Sequence, residues 1–329
     1  MIFKNLLITF FSIILVLLFL ELTLRSLGIK PRIENKITIN ETSTNKDDKI
    51  LGWMPKEGIH EFKPWSDEGS ITKLTVNKDG SRKTGDIYSN KKIIFVGGSL
   101  TQGWAVDNNH TFTSLIQKKI NNYKIKNYGV GGYGGYQSLL FLERVLNNNK
   151  NIKLIIYGFI PHHEIRNIAS GSWRYLLNQF SNRGIVNLPY VSLDKDKNLV
   201  KHSPISYIKL PFGDKSSLIS KVEKKIMKIE SFWREKNKFE ISKKVILEMQ
   251  KLSKNYGSDF KILFLNHMSA NDLERYKKFF TDNSIESIYC PIPTGEEYVV
   301  KNEGHPNLKG HQFVSLCLLD NLITLKNNK

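Results

Sequence analysis

Ile93-Ile94-Phe95-Val96-Gly97-Gly98-Ser99-Leu100-Thr101-Gln102-Gly103 is the stretch on which the reading of this chain turns. Four consecutive apolar residues closed by two glycines read as a buried strand ending in a tight turn. Ser99 then sits at the strand tip with its hydroxyl free to project, and a helical-looking stretch follows.

Further short apolar runs bounded by Gly, Asn or His lie at 125–128, 154–159 and 262–265, with a weaker fifth at 285–289. Helical patterns fall at 111–122, 136–146, 272–280 and 308–325. Strands that alternate with helices predict an α/β fold with a doubly wound, parallel sheet of about five strands. Such sheets bind ligands beyond the carboxyl ends of their strands. Ser99, the glycine loop 129–134 and His162 all fall there.

The alternation fills residues 91–329, except for an excursion at about 165–256, expected to be a helical insertion, whose second half, 215–254, is lysine-rich. That half reads as a solvated helical face, with a lid or a surface for membrane or glycan contact as its functional alternatives. Residues 29–90 read as a polar linker followed by a small, irregular or β-rich lead-in.

Residues 1–28 open the chain with an apolar stretch interrupted between Leu6 and Leu20 only by Thr9 and Ser12. No polar stripe runs through it, so it reads as a membrane anchor or signal rather than a core helix. The segment that follows, Glu21-Leu22-Thr23-Leu24-Arg25-Ser26, lacks the small-residue pattern of a cleavage site, which favours an uncleaved anchor. By charge counting alone, Arg25, Lys30 and Arg32 after the span would face the cytoplasm.

The 329 residues carry a net charge of +18, from 49 Lys+Arg against 31 Asp+Glu. The excess is mostly lysine spread along the chain, with no zinc-finger spacing, aromatic RNA motif or arginine cluster, so no nucleic-acid partner is expected. Cys290 and Cys317 have no CxxC spacing and supply no zinc site; they read as two buried free thiols in preference to a single disulfide. No His or carboxylate cluster suggests a metal, and no cofactor is expected.

Two phosphate-binding readings fail. Gly129-Val130-Gly131-Gly132-Tyr133-Gly134 fits a dinucleotide loop, but no acidic residue occurs around 149–153. Gly98 to Gly103 has P-loop spacing, with Trp104 and Ala105 where lysine and a hydroxyl residue are needed. A third reading survives. His305 lies just ahead of the last helix, Glu303 stands two residues before it, and Asn307 is placed to cap that helix. Nucleophile, base and backbone amide donors, all on strand-end loops, are what acyl transfer through a serine ester requires.

This constellation resembles the SGNH (GDSL-type) esterases and lipases. Gly97 to Gly103 looks like the family's block I, Asn127 to Gln137 like its second block, and His305 to His311 like its last. The lead-in resembles the membrane-anchored bacterial branch, through Glu21 to Arg25, Leu51-Gly52-Trp53 and the Asn77 to Arg82 stretch.

The resemblance implies a flavodoxin-like three-layer sandwich, with the body outside the cytoplasm, on the periplasmic side. Ser99 would be the nucleophile, His305 the base and Glu303 its orienting carboxylate, where the family usually has an aspartate. The amides of Ser99 and Gly132 would form the oxyanion hole. The third block normally adds an asparagine, absent from Tyr157-Gly-Phe-Ile-Pro-His-His163, so His162 or His163 is the expected stand-in. An unreplaced donor would cost roughly 3 kcal/mol of transition-state stabilisation. The implied substrate is a short acyl ester, such as acetyl, on a carbohydrate or envelope polymer. Transfer of that acyl group to a glycan, or a silent glycan-binding module on the same fold, are the alternatives. The lipid bilayer is the second expected partner.

Overall fold

A computed structural model describes residues 2–32, 44–64, 71–180 and 186–324. Part of the expected linker, 33–43, lies outside them. The chain opens with α1 (Ile2–Ser26), then β1 (Asn45–Asp48), β2 (Gly52–Pro55), β3 (Gly58–Phe62) and β4 (Thr72–Val76). The alternating part follows: β5 (Lys92–Gly97), α2 (Ser99–Gln102), α3 (Phe112–Gln117), β6 (Lys124–Gly129), α4 (Gly135–Asn147) and β7 (Ile152–Phe159). The excursion holds α5 (His163–Asn167), α6 (Gly171–Phe180), β8 (Leu188–Leu193), β9 (Leu199–Ile205) and α7 (Ser217–Glu235). Then come α8 (Lys238–Asn255), β10 (Asp259–Phe264), α9 (Ala270–Asp282), β11 (Glu286–Tyr289) and α10 (Leu308–Thr324).

Five parallel strands form the central sheet in the order β11-β10-β7-β5-β6. From the β6 edge, the sheet's own strands run second, first, third, fourth, fifth along the chain, the doubly wound order of flavodoxin-like folds. The direction of winding reverses at β5 and β7, so the crevice opens at the end of β5, where Ser99 stands.

The strands read as continuous apolar runs because both faces of the sheet are covered. Ile94 and Val96 point into a cluster with Leu139, Leu142 and Val145 of α4, Val245 and Met249 of α8, and Phe280 of α9. Ile93 and Phe95, the alternate positions, point into a second cluster with Phe112 and Ile116 of α3 and Val314 and Leu318 of α10. Each such side chain, fully buried, contributes about 1.5–3 kcal/mol.

Two expectations need correction. The excursion is neither wholly helical nor as long as 165–256. An antiparallel β8–β9 hairpin interrupts it, and α8 belongs to the sandwich, because Ile241, Val245, Ile246 and Met249 form an apolar stripe buried on the sheet. Nor are the cysteines free thiols. Cys290, just beyond β11, is bonded to Cys317 of α10, with 5.9 Å between their Cα atoms. The bond follows from packing, since α10 lies over the end of the strand that Cys290 terminates; spacing in the sequence carries no trace of it.

The lead-in forms two antiparallel pairs, β1 with β2 and β3 with β4. It joins the sheet through Arg82, which bridges to Val76 on one side and to Asn127 of β6 on the other. The hydrophobic part of α1 is uncovered along its length, and α1 is the one helix among the described residues long and apolar enough to cross a membrane.

Candidate active site

Ser99 is the first residue of α2, directly after β5. The helix is held from behind by Asn127, whose side-chain amide donates to the Thr101 carbonyl at 2.8 Å and whose oxygen accepts from Gly129 N–H at 2.9 Å. Arg82 supports the next turn. Its guanidinium donates to the carbonyls of Gln102 at 3.0 Å, Gly103 at 2.6 Å and Val106. Arg82 is fully buried, and desolvation pulls its pKa down to about 9. A buried cation is thus spent on fixing the backbone behind the serine.

Ser99 Oγ lies 2.8 Å from His305 Nε2. On the far side of the ring, Nδ1 is 2.5 Å from Glu303 Oε1. The other carboxylate oxygen accepts the backbone N–H of His305 at 2.7 Å. The Glu303 side chain is completely shielded from solvent, whereas the His305 side chain keeps 14% of its surface exposed. Gly304, at φ +83°, makes the reversal that lets a residue two positions earlier reach both groups. The loop is closed by Gly304 N–H and Glu303 N–H donating to the Val300 carbonyl, and by Val300 N–H donating to that of His305. Asn307 ties it to the last helix, accepting from Gly310 N–H while donating to the carbonyls of Glu297 and Val299. Glu303 makes the contact to the imidazole, and its neighbour Asn302 occupies the turn at φ +60°.

Gly132 lies on the β6–α4 loop at φ +84°. A Cβ there would come within 3.0 Å of the Trp53 ring, 3.6 Å of Leu177 and 3.7 Å of the Trp173 ring. Trp53 is fixed by its indole N–H donating to the Gly131 carbonyl at 3.0 Å, and Trp173 lies beneath the Arg166 guanidinium at 4.2 Å. Large rings therefore crowd the Gly132 end of the site.

The two candidate donor histidines part company. His162 is exposed at the start of α5. His163 is fully buried, with its ring stacked on Tyr157 and its Nδ1 2.6 Å from the Tyr157 hydroxyl. Burial, then the charge of Arg166, hold the His163 pKa well below the usual value, while burial pushes the Tyr157 phenol up. Tyr157 accordingly donates to a neutral imidazole, and the proton of that imidazole sits on Nε2. This Nε2 makes no hydrogen bond among the described residues and lies 2.9 Å from where a Cβ on Gly98 would be. Arg166 Nη1 is 3.2 Å from the same point. A glycine precedes Ser99 because the space a side chain would take is already filled.

Sequence reasoning named Ser99, Glu303, His305, Gly132, His162 and His163. It gave no role to Arg166 or Trp173, which lie in the excursion and reach the site through its fold. Trp53 and Arg82 fell inside stretches that carried the resemblance, and their contacts explain why those stretches matter.

No family model and no curated protein matches the chain. Among solved structures, it is similar to the psychrotrophic esterase EstA from Pseudoalteromonas sp., at 10% identity and a TM-score of 0.44, covering 72% of this chain and 99% of that one. A lipolytic protein of the G-D-S-L family from Veillonella parvula is similar at 14% identity and a TM-score of 0.40, covering 70% and 97%. A family two carbohydrate esterase from Clostridium thermocellum is similar at 9% identity and a TM-score of 0.34, covering 70% and 63%.

Proposed function

We propose that this protein is a membrane-anchored serine esterase of the SGNH type. It removes a short acyl group, such as acetyl, from a carbohydrate or envelope ester. The observation that carries the reading is the unbroken relay from Ser99 Oγ through His305 to Glu303, at 2.8 and 2.5 Å.

His305 Nε2 takes the Ser99 proton as Oγ attacks the ester carbonyl, and the imidazolium that forms is stabilised by the buried carboxylate of Glu303. The tetrahedral oxyanion is received by the amides of Ser99 and Gly132, while His163 Nε2 is sealed beneath Gly98 and closed to it. His305 then protonates the leaving alcohol, leaving an acyl-serine. Water enters, gives its proton to His305, and releases the acid and free Ser99. The rings of Trp53 and Trp173 at the Gly132 end favour a short acyl group. The Cys290–Cys317 bond is of a kind that persists in oxidising compartments, which supports a body outside the cytoplasm with α1 as its anchor.

A fluorophosphonate probe tests the assignment. Wild-type protein labels and Ser99→Ala does not; folded wild-type protein that fails to label overturns the esterase reading.

A further inference from the structure

Helix α7 is amphipathic in the reverse sense. The face it turns to the body carries Ser217, Ser220, Glu223 and Met227, all buried. The opposite face carries Val222, Ile226, Ile229 and Trp233, spaced four, three and four residues apart, with Phe232 alongside; all five are exposed, Phe232 at 71% and Trp233 at 65%. A helix on the surface of a water-soluble body does the opposite. Lys221, Lys224, Lys225 and Lys228, also exposed, lie along one flank of the apolar stripe.

The start of this helix is locked to the end of α1. The Glu21 carboxylate accepts the N–H groups of Ser217 and Leu218, both at 2.9 Å, and the Ser216 hydroxyl at 2.8 Å. Arg25 donates to the Lys215 carbonyl at 2.6 Å. A few residues on, Arg32 pairs with the buried Glu223 at 2.6 Å, and Ser217 Oγ donates to the Ile29 carbonyl at 2.8 Å. The apolar stripe therefore begins where the uncovered apolar surface of α1 ends.

We infer that α7 is an interfacial helix. It lies along the membrane surface with Val222, Ile226, Ile229, Phe232 and Trp233 sunk among the acyl chains and its lysines at the headgroups. The inference rests on the reading of α1 as a membrane anchor. Continuity with that span and a basic flank select a lipid surface as the occupant. A consequence reaches the catalytic body. Backbone of α7 passes so close to α6 that a Cβ on Gly171 would meet the Met227 carbonyl at 2.4 Å, and α6 carries Trp173. The bilayer thus sets the height of the site above the membrane.

Trp233 is the discriminating reporter. It lies 16 residues beyond Ser217, roughly 24 Å along the helix axis. An upright α7 holds it far from lipid, while a recumbent α7 buries it. The full chain is reconstituted in vesicles of phosphatidylcholine and phosphatidylglycerol, with flotation recording insertion of α1 independently of hydrolysis. Tryptophan emission is compared with that of Trp233→Phe, a conservative change at an exposed site. The difference spectrum, which belongs to Trp233, is expected to be blue-shifted, quenched by doxyl-labelled lipid and resistant to aqueous acrylamide. A Trp233 component quenched by acrylamide but not by doxyl lipid, in vesicles that float with the protein, overturns the inference and leaves the anchor intact. Resistance to both quenchers also overturns it, and points to a second copy covering the stripe.

Discussion

Glu303 grips His305 twice, holding the ring Nδ1 with one oxygen and the backbone N–H with the other, across a single glycine. One carboxylate thereby sets both the orientation of the imidazole and the shape of the turn that presents it. Glu303→Gln keeps the size but removes the charge that stabilises imidazolium. Turnover of a chromogenic acetyl ester is expected to fall by roughly 10²–10⁴-fold, with little change in melting temperature. A melting temperature lowered as much as activity would place Glu303 in stability rather than catalysis.

The Cys290–Cys317 bond closes a 27-residue span that contains Glu303 and His305. Cutting it with reductant, or by Cys290→Ser with Cys317→Ser, frees the segment that carries the base while Ser99 stays fixed at the start of α2. About 3 kcal/mol of stability should be lost, read by denaturant titration with and without reductant. Ester hydrolysis should fall more steeply than the folded fraction does. Activity that tracks the folded fraction alone would show that the bond does not position His305.

Acid should unfold the protein through two buried histidines. Burial lowers the His311 pKa to about 3, and burial followed by the Arg166 charge holds His163 well below its ordinary value. Each is neutral in the fold and binds a proton more readily when unfolded. Their contribution is complete above the unfolded value of about 6.5 and is lost progressively as pH falls toward the folded values. Stability should decline below about pH 6.5, with each histidine adding about 1.4 kcal/mol per pH unit to the slope. His311→Gln should flatten that slope by one histidine's share while the Ser99–His305 relay remains. An unchanged slope would assign the acid sensitivity elsewhere.

Arg82→Met fills the same space without donors, leaving the Val106 carbonyl unpaired in the interior and the carbonyls of Gly103 and Gln102 with only the Val106 N–H and the Asn127 side-chain amide. A loss of about 3–5 kcal/mol is expected, by thermal or chemical denaturation. Fluorophosphonate labelling of the fraction that stays folded should slow as well, because the turn behind Ser99 loosens. Labelling at the wild-type rate would limit Arg82 to a structural role.

The central sheet was legible because buried parallel strands write themselves as apolar runs, and 93–96 and 154–159 fall inside β5 and β7. The placement of Ser99 followed from the two glycines after such a run. Helix α8 was harder: lysines at 243, 244, 251 and 254 mask the stripe of Ile241, Val245, Ile246 and Met249 that packs on the sheet. The disulfide was illegible because a strand end and a helix face 27 residues apart meet only once the layers stack. Trp173 and Arg166 were missed for a related reason, since an excursion without alternating pattern gives no hint of which residues it returns to the crevice. Gly98 is the converse case. Nothing in the sequence says why a glycine precedes Ser99, and the reason lies in the positions of His163 and Arg166.

The carboxylate of Glu21 has a practical bearing on how the protein is handled. Trimming the chain after Ser26 to obtain a soluble body would take away the acid that satisfies the first amides of a helix nearly 200 positions downstream. Detergent or nanodisc preparations of the whole polypeptide are therefore the better starting material, since the hydrophobic leader is built into the folded unit rather than tethered to it.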